Sequence, residues 1–215
     1  MAAAKSEAFT LQGPAGGLEA VLEQTGDEVR FCALVCHPHP LFGGTMQNKV
    51  VTTLSRACRD AGGAVLRFNF RGVGKSQGAY SDGIGETEDM LAAEAWLRHR
   101  WPSLPFWLAG FSFGSYVAAR GAQILADNER SASHLFLVAP AVHNYDYAGI
   151  ERTGCPVTVV QGEDDEVVPA DQVFRWVQQT PLAPDLIRFP GAGHFFHGCL
   201  PQLADVVRSR LPGGL

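Results

Sequence analysis

Two serines sit at the centre of a Gly-x-Ser-x-Gly pattern: Ser112 in Gly110-Phe111-Ser112-Phe113-Gly114, and Ser76 in Gly74-Lys75-Ser76-Gln77-Gly78. A serine flanked in this way can act as the nucleophile of acyl transfer. The glycines allow a sharp turn that projects the hydroxyl while neighbouring chain passes close by. The pattern is weak on its own, as its double occurrence shows, and context separates the two. Ser112 directly follows the apolar run Pro105–Phe111, and helical spacing begins immediately after it, as a strand–turn–helix nucleophile requires. Ser76 lies four residues beyond Gly72 and is followed by QGAYSDGIG, which reads as loop. Ser112 is therefore the candidate nucleophile. Gly74-Lys75-Ser76 also invites a phosphate-loop reading, but that motif needs glycine at position 69, where this chain has Asn69.

A serine hydroxyl is a poor nucleophile at neutral pH. It needs a base within reach and an acid to orient that base. With a strand–turn–helix serine the chain order is serine, acid, histidine. His134, His143, His194 and His197 follow Ser112. His134 opens an apolar strand, and His143 precedes any good acid. His194, in Gly191-Ala192-Gly193-His194 just past the run Asp185–Phe189, is the candidate base, with His197 as fallback. For the acid, the run Pro156–Gln161 leads into Gly162-Glu163-Asp164-Asp165-Glu166. Asp165 is the choice and Asp164 the runner-up, and spacing alone leaves both open.

A tetrahedral intermediate also needs backbone N–H donors. One should come from Phe113, at a helix N-terminus, and the other from the loop after Phe31–Cys36. In that loop Pro38 and Pro40 have no N–H. His39, Leu41 and Phe42 remain, and Leu41 is the residue chosen. His37 and His39 form an H-x-H pair that could suggest a metal. No further His or Asp follows closely and two prolines stiffen the loop, so neither metal nor other cofactor is expected.

The elements that must position these residues alternate between strand and helix. A strand pair is expected near Ala8–Leu11 and Leu18–Gln24, then strands at Phe31–Cys36, Ala64–Phe70, Pro105–Phe111, Leu135–Ala139, Pro156–Gln161 and Asp185–Phe189. Helices are expected at Asn48–Asp60, Thr87–Arg100, Phe113–Ala126, Ala170–Gln178 and Gln202–Leu211. This order implies an α/β fold with a mostly parallel sheet and helices on both faces. Ligands then bind beyond the carboxyl ends of the strands.

Composition narrows the function classes. The chain has 215 residues, 46% of them hydrophobic, enough for one sizeable core, and 1–215 reads as one domain without repeat or linker. The net charge of −5 comes without a basic stripe, which argues against nucleic acid. No run approaches a membrane span, and MAAAKSEAFT lacks the apolar core of a signal peptide. The odd set Cys32, Cys36, Cys58, Cys155 and Cys199, without a CxxC motif, suits reduced thiols. A cytoplasmic protein acting on a small-molecule acyl substrate is expected, without nucleic-acid or membrane partners; nothing indicates the oligomeric state.

GFSFG at 110–114, GEDDEVVP at 162–169 and GAGH at 191–194 resemble the nucleophile, acid and base motifs of the α/β-hydrolase superfamily. HPHPLFGGTMQNKVV at 37–51 with LRFNFRGVGKSQG at 66–78 resembles its small bacterial members without a cap domain. The resemblance runs from about residue 30 to 200. It implies a sheet of about 7–8 strands, a triad of Ser112, Asp165 and His194, with Asp165 rather than Asp164, and a structural role for Arg71–Gly78. Caps in this superfamily often follow the strand that ends here near Ala139. Only about fifteen residues separate it from Pro156, too few for a lid. The expected site is an open cleft walled by Phe42, Phe113, Tyr145 and Phe195. The expected activity is that of a serine esterase cleaving small acyl esters. Peptidase or acyltransferase chemistry on the same triad, or a non-catalytic binding role, are the alternatives.

Overall fold

Stretches that are apolar without alternation must be covered on both faces, and the centre of this sheet is built from them. In a computed structural model describing residues 4–212, Phe31–Cys36 (β3) and Gly63–Phe68 (β4) are buried at every position. Phe106–Phe111 (β5), His134–Val138 (β6), Val157–Gly162 (β7) and Asp185–Phe189 (β8) complete six parallel strands. Ala4–Gly13 (β1) and Gly16–Thr25 (β2) form a hairpin that joins β4 antiparallel, giving an eight-stranded sheet in the order β1-β2-β4-β3-β5-β6-β7-β8.

Helices cover both faces. Lys49–Asp60 (α1) and Leu200–Ser209 (α5) pack on one side, burying Val50, Val51, Leu54, Leu203 and Val207 against β3, β4 and β5. Ile84–Arg100 (α2), Phe113–Asp127 (α3) and Ala170–Gln179 (α4) contribute Met90, Leu97, Val117 and Val173 to the cluster on the other side. Asn48 starts α1 by accepting the Val50 N–H at 2.8 Å, a cap contributing about 1 kcal/mol. No helix among the described residues is long and apolar enough to cross a membrane.

Several boundaries differ from expectation for local reasons. The β1–β2 hairpin extends outward through exposed polar residues such as Lys5 and Glu7, where the backbone ladder rather than apolar alternation holds the pair. Helix α2 starts at Ile84 rather than Thr87, because the Glu86 carboxylate reaches back to accept the Ser81 and Gly83 N–H groups at 2.9 and 2.8 Å. Strand β4 ends at Phe68 rather than Phe70, since Asn69 turns to serve a side-chain network: its Oδ1 accepts the Met46 N–H. Helix α5 begins at Leu200 with Pro201 in its first turn, where a missing N–H costs nothing. A 3-10 turn at Pro40–Phe42 was not anticipated.

Chain order reverses between β3, which leads to β4 on one side, and β5 on the other. Parallel strands place their carboxyl ends along one edge, and a crevice opens at such a reversal. The loop after β3 and the turn after β5 meet there.

Candidate active site

The β5–α3 turn holds Ser112 at φ +55°, a left-handed conformation costing roughly 1–3 kcal/mol for a non-glycine residue. The surroundings enforce it. The Ser112 N–H donates to the Val138 carbonyl at 2.8 Å. Behind the turn, the buried Ser115 hydroxyl lies 2.7 and 2.9 Å from the Gly110 and Val138 carbonyls. A Cβ on Gly110 would collide with the Gly114 carbonyl, and one on Gly114 with the carbonyls of Cys36 and His37. The pattern's two glycines are thus demanded by close approach of backbone.

Ser112, Phe113, His194, Phe42, Tyr145 and Phe195 line one pocket of about 390 Å³. Phe42, 86% exposed, stands at its rim, whereas Phe113 is buried in its wall. Asp165 sits behind His194, its Oδ2 2.9 Å from His194 Nδ1, with both side chains almost fully buried. Burial pushes the Asp165 carboxyl up, but hydrogen bonds from His194 and from the Val168 and Val167 N–H groups outweigh it and leave the group below its ordinary value. An ionised carboxylate here accepts from Nδ1–H, the tautomer that in a neutral ring leaves Nε2 as the acceptor. The ring packs on Phe111 and Phe195 with centroids 4.9 and 5.1 Å away. Asp164 and His197 are both exposed, and neither lines the pocket.

In the loop after β3 the Leu41 N–H donates to Nδ1 of His39 at 3.2 Å, and Leu41 does not line the pocket. The Phe42 and Gly44 N–H groups are both taken by the His39 carbonyl. Among the described residues, the N–H groups of His39 and Phe113 have no partner. His39 and Phe113 line the pocket together, their rings 5.0 Å apart.

His37 is fully buried and spends both ring nitrogens: Nδ1 lies 2.6 Å from the Pro38 carbonyl, and Nε2 accepts the Phe70 N–H at 3.0 Å. Burial, opposed by the Pro38 contact, lowers its pKa to about 4. His39 is engaged by Leu41 and, at 3.2 Å, by the Tyr80 hydroxyl. Ser76 is a strut: its hydroxyl donates to the Asn69 carbonyl at 2.7 Å and accepts the Glu19 N–H at 2.9 Å.

Two supports went unread in the sequence. Buried Gln161, the penultimate residue of β7, donates to Asp165 Oδ2 at 3.0 Å. Glu166 accepts the His194 N–H at 3.1 Å. A carboxamide near the end of a strand of valines and one threonine, just before an acidic turn, is the signal for the first. His143 also lines the pocket, its Nδ1 buried and without a partner among the described residues.

No protein-family model matches the sequence. Solved structures and one curated protein are similar over nearly the whole chain. An alpha-beta serine hydrolase homologue from Coxiella burnetii is 44% identical, with a TM-score of 0.88 over 96% of this chain and 97% of that one. An α/β serine hydrolase without lid from Xanthomonas campestris is 38% identical, with a TM-score of 0.87 over 95% and 92%. An uncharacterized protein of Rickettsia prowazekii is 37% identical over 208 residues, 93% of this chain and 86% of that one.

Proposed function

Since the chain belongs to the α/β serine hydrolases, in the company of members without a lid, we propose that it is an esterase cleaving small acyl esters through an acyl-enzyme on Ser112. The observation that carries this reading is the buried Asp165–His194 pair at 2.9 Å, whose imidazole opens into the same pocket as a serine held at φ +55°.

In this mechanism Ser112 Oγ attacks the acyl carbonyl carbon while His194 Nε2 takes its proton. Asp165 keeps Nδ1–H in place and offsets the imidazolium charge. The carbonyl oxygen, now an oxyanion, is held by the N–H groups of Phe113 and His39, which are unpaired among the described residues. Collapse breaks the bond to the alcohol oxygen, which leaves with the proton from His194. Water then gives its proton to His194 and its oxygen to the acyl carbon, and the acid departs as Ser112 recovers its proton. The walls around Ser112 expose more apolar than polar surface, which suits the acyl group.

Turnover of p-nitrophenyl acetate tests the reading. The wild type should hydrolyse it and Ser112→Ala should not. Full activity in that variant would overturn the assignment.

A further inference from the structure

A second hollow, about 720 Å³, lies beside the catalytic pocket, between the segment after β6 and helix α4. The two share Tyr145 as a wall. That ring is held in place by stacking on Tyr116 at 4.7 Å and 22° and by packing on Phe113 at 5.3 Å. The groove therefore adjoins the apolar pocket across this ring.

The chemistry of the groove differs from that of the pocket. Gln172, Gln179 and Thr180 stand among Val142, Trp176 and Pro181 in its walls, whereas Phe42, Phe113 and Phe195 line the pocket around Ser112. Trp176 provides aromatic surface and is backed by buried Tyr147, set edge to face at 5.1 Å. Gln172 and Gln179 present exposed carboxamides that have no partner among the described residues. Tyr147 is buried, and its hydroxyl is likewise without a partner there. Arg175 forms an exposed pair with Asp171 at 2.5 Å, and Asp146 adds a carboxylate to the wall, so the groove does not favour an anionic headgroup. Its mixed surface suits an alkyl chain poorly. Aromatic rings beside unpaired amide donors and acceptors match a ring that has apolar C–H faces and a rim of hydroxyls.

We propose that the groove between residues 142–148 and helix α4 binds the alcohol part of the substrate, and that this part is a polyhydroxylated, sugar-like ring. The proposal rests on the esterase reading and names its substrate class: an acyl ester of a sugar-type alcohol, with the acyl group against Ser112 and the polyol against Trp176, Gln172 and Gln179.

Two acetyl esters of equal ring size separate the possibilities: 6-O-acetylglucose, and cyclohexylmethyl acetate, which lacks the ring hydroxyls. The wild type should favour the sugar ester in kcat/KM by about tenfold or more. Trp176→Ala should reduce that preference by about tenfold and Gln172→Ala by about threefold, mainly through KM. Gln172 is exposed on α4, so its variant keeps the test usable if Trp176→Ala fails to fold. Equal rates on the two esters, or an unchanged preference in both folded variants, would overturn the groove assignment. Hydrolysis of p-nitrophenyl acetate that depends on Ser112, together with equal rates on the two esters, would defeat the groove and leave the esterase reading standing. If turnover is absent altogether, saturation-transfer NMR with methyl β-D-glucoside on the Ser112→Ala protein decides: binding lost on adding Gln172→Ala supports the groove, and absence of binding refutes it.

Discussion

Ser112 and Ser76 stand in the same five-residue pattern and are equally buried, each 8% exposed, yet they are held in opposite ways. Ser76 has its hydroxyl satisfied on both sides, donating to Asn69 and accepting from Glu19, and so ties the β2 hairpin strand to the loop after β4. Ser112 has its backbone constrained instead, at φ +55°, and its side chain opens into the pocket with His194. The glycines differ as well. Gly74 and Gly78 adopt left-handed backbone, whereas Gly110 and Gly114 are required by the close passage of neighbouring carbonyls. A pattern of residue types therefore does not make a nucleophile. The proposed nucleophile combines a strained main chain with an unspent hydroxyl that faces the same pocket as His194, while the spent hydroxyl of Ser76 makes a strut.

The contrast predicts a separation of activity from stability. Ser112→Ala should lower kcat by about a millionfold while leaving the urea midpoint close to that of the wild type, because the turn is held by the Ser112 N–H and the Ser115 hydroxyl, which the substitution leaves in place. Asp165→Asn should lower kcat by about ten-thousandfold, since an amide cannot hold Nδ1–H and the imidazole would adopt the wrong tautomer. Ser76→Ala should show the reverse pattern: destabilisation of about 1–3 kcal/mol, read as a Tm fall of roughly 2–12 °C for a chain of this length, with kcat of the folded enzyme retained. A Ser76→Ala protein that loses turnover without losing stability would break the comparison.

The smallest effect concerns pH. Folding depresses the His37 pKa from 6.5 to about 4, through burial opposed by its Pro38 contact. As pH falls, the unfolded chain takes up the proton first. The contribution of His37 is therefore full above about pH 6.5 and is lost as pH falls towards 4. His134, lowered to about 4 by burial and then by Arg210, acts in the same direction. Denaturation at pH 7.5 and pH 5 should differ by on the order of 2 kcal/mol for each fully linked histidine, with the lower stability at pH 5. Equal stability at the two values would contradict the buried, neutral state of His37.

Much of this arrangement was legible in the residues. Phe31–Cys36 and Asp185–Phe189 form strands with the expected bounds, because a short apolar run between breakers has few other folds open to it. Ser112, Asp165 and His194 were each placed at the carboxyl end of such a run, where parallel strands bring their loops together. The loop at 37–44 was not legible to the same depth. Its donors depend on which carbonyls turn inward, and that is decided by the 3-10 turn and by the His39 ring capturing the Leu41 N–H. Gln161 was hidden for a related reason: its role comes from packing against a carboxylate four residues later, not from periodicity. Tyr145 was anticipated as one wall, but that it borders two hollows follows only from the path of the segment after β6.

The proposed mechanism puts the reactive hydroxyl on Ser112 and not on Ser76. Treatment of the wild type with a fluorophosphonate, followed by peptide mapping by mass spectrometry, tests it most directly. A single adduct on the peptide containing Ser112, preserved in Ser76→Ala and absent in Ser112→Ala, is the predicted result. An adduct on Ser76, or labelling that persists in Ser112→Ala, would contradict it.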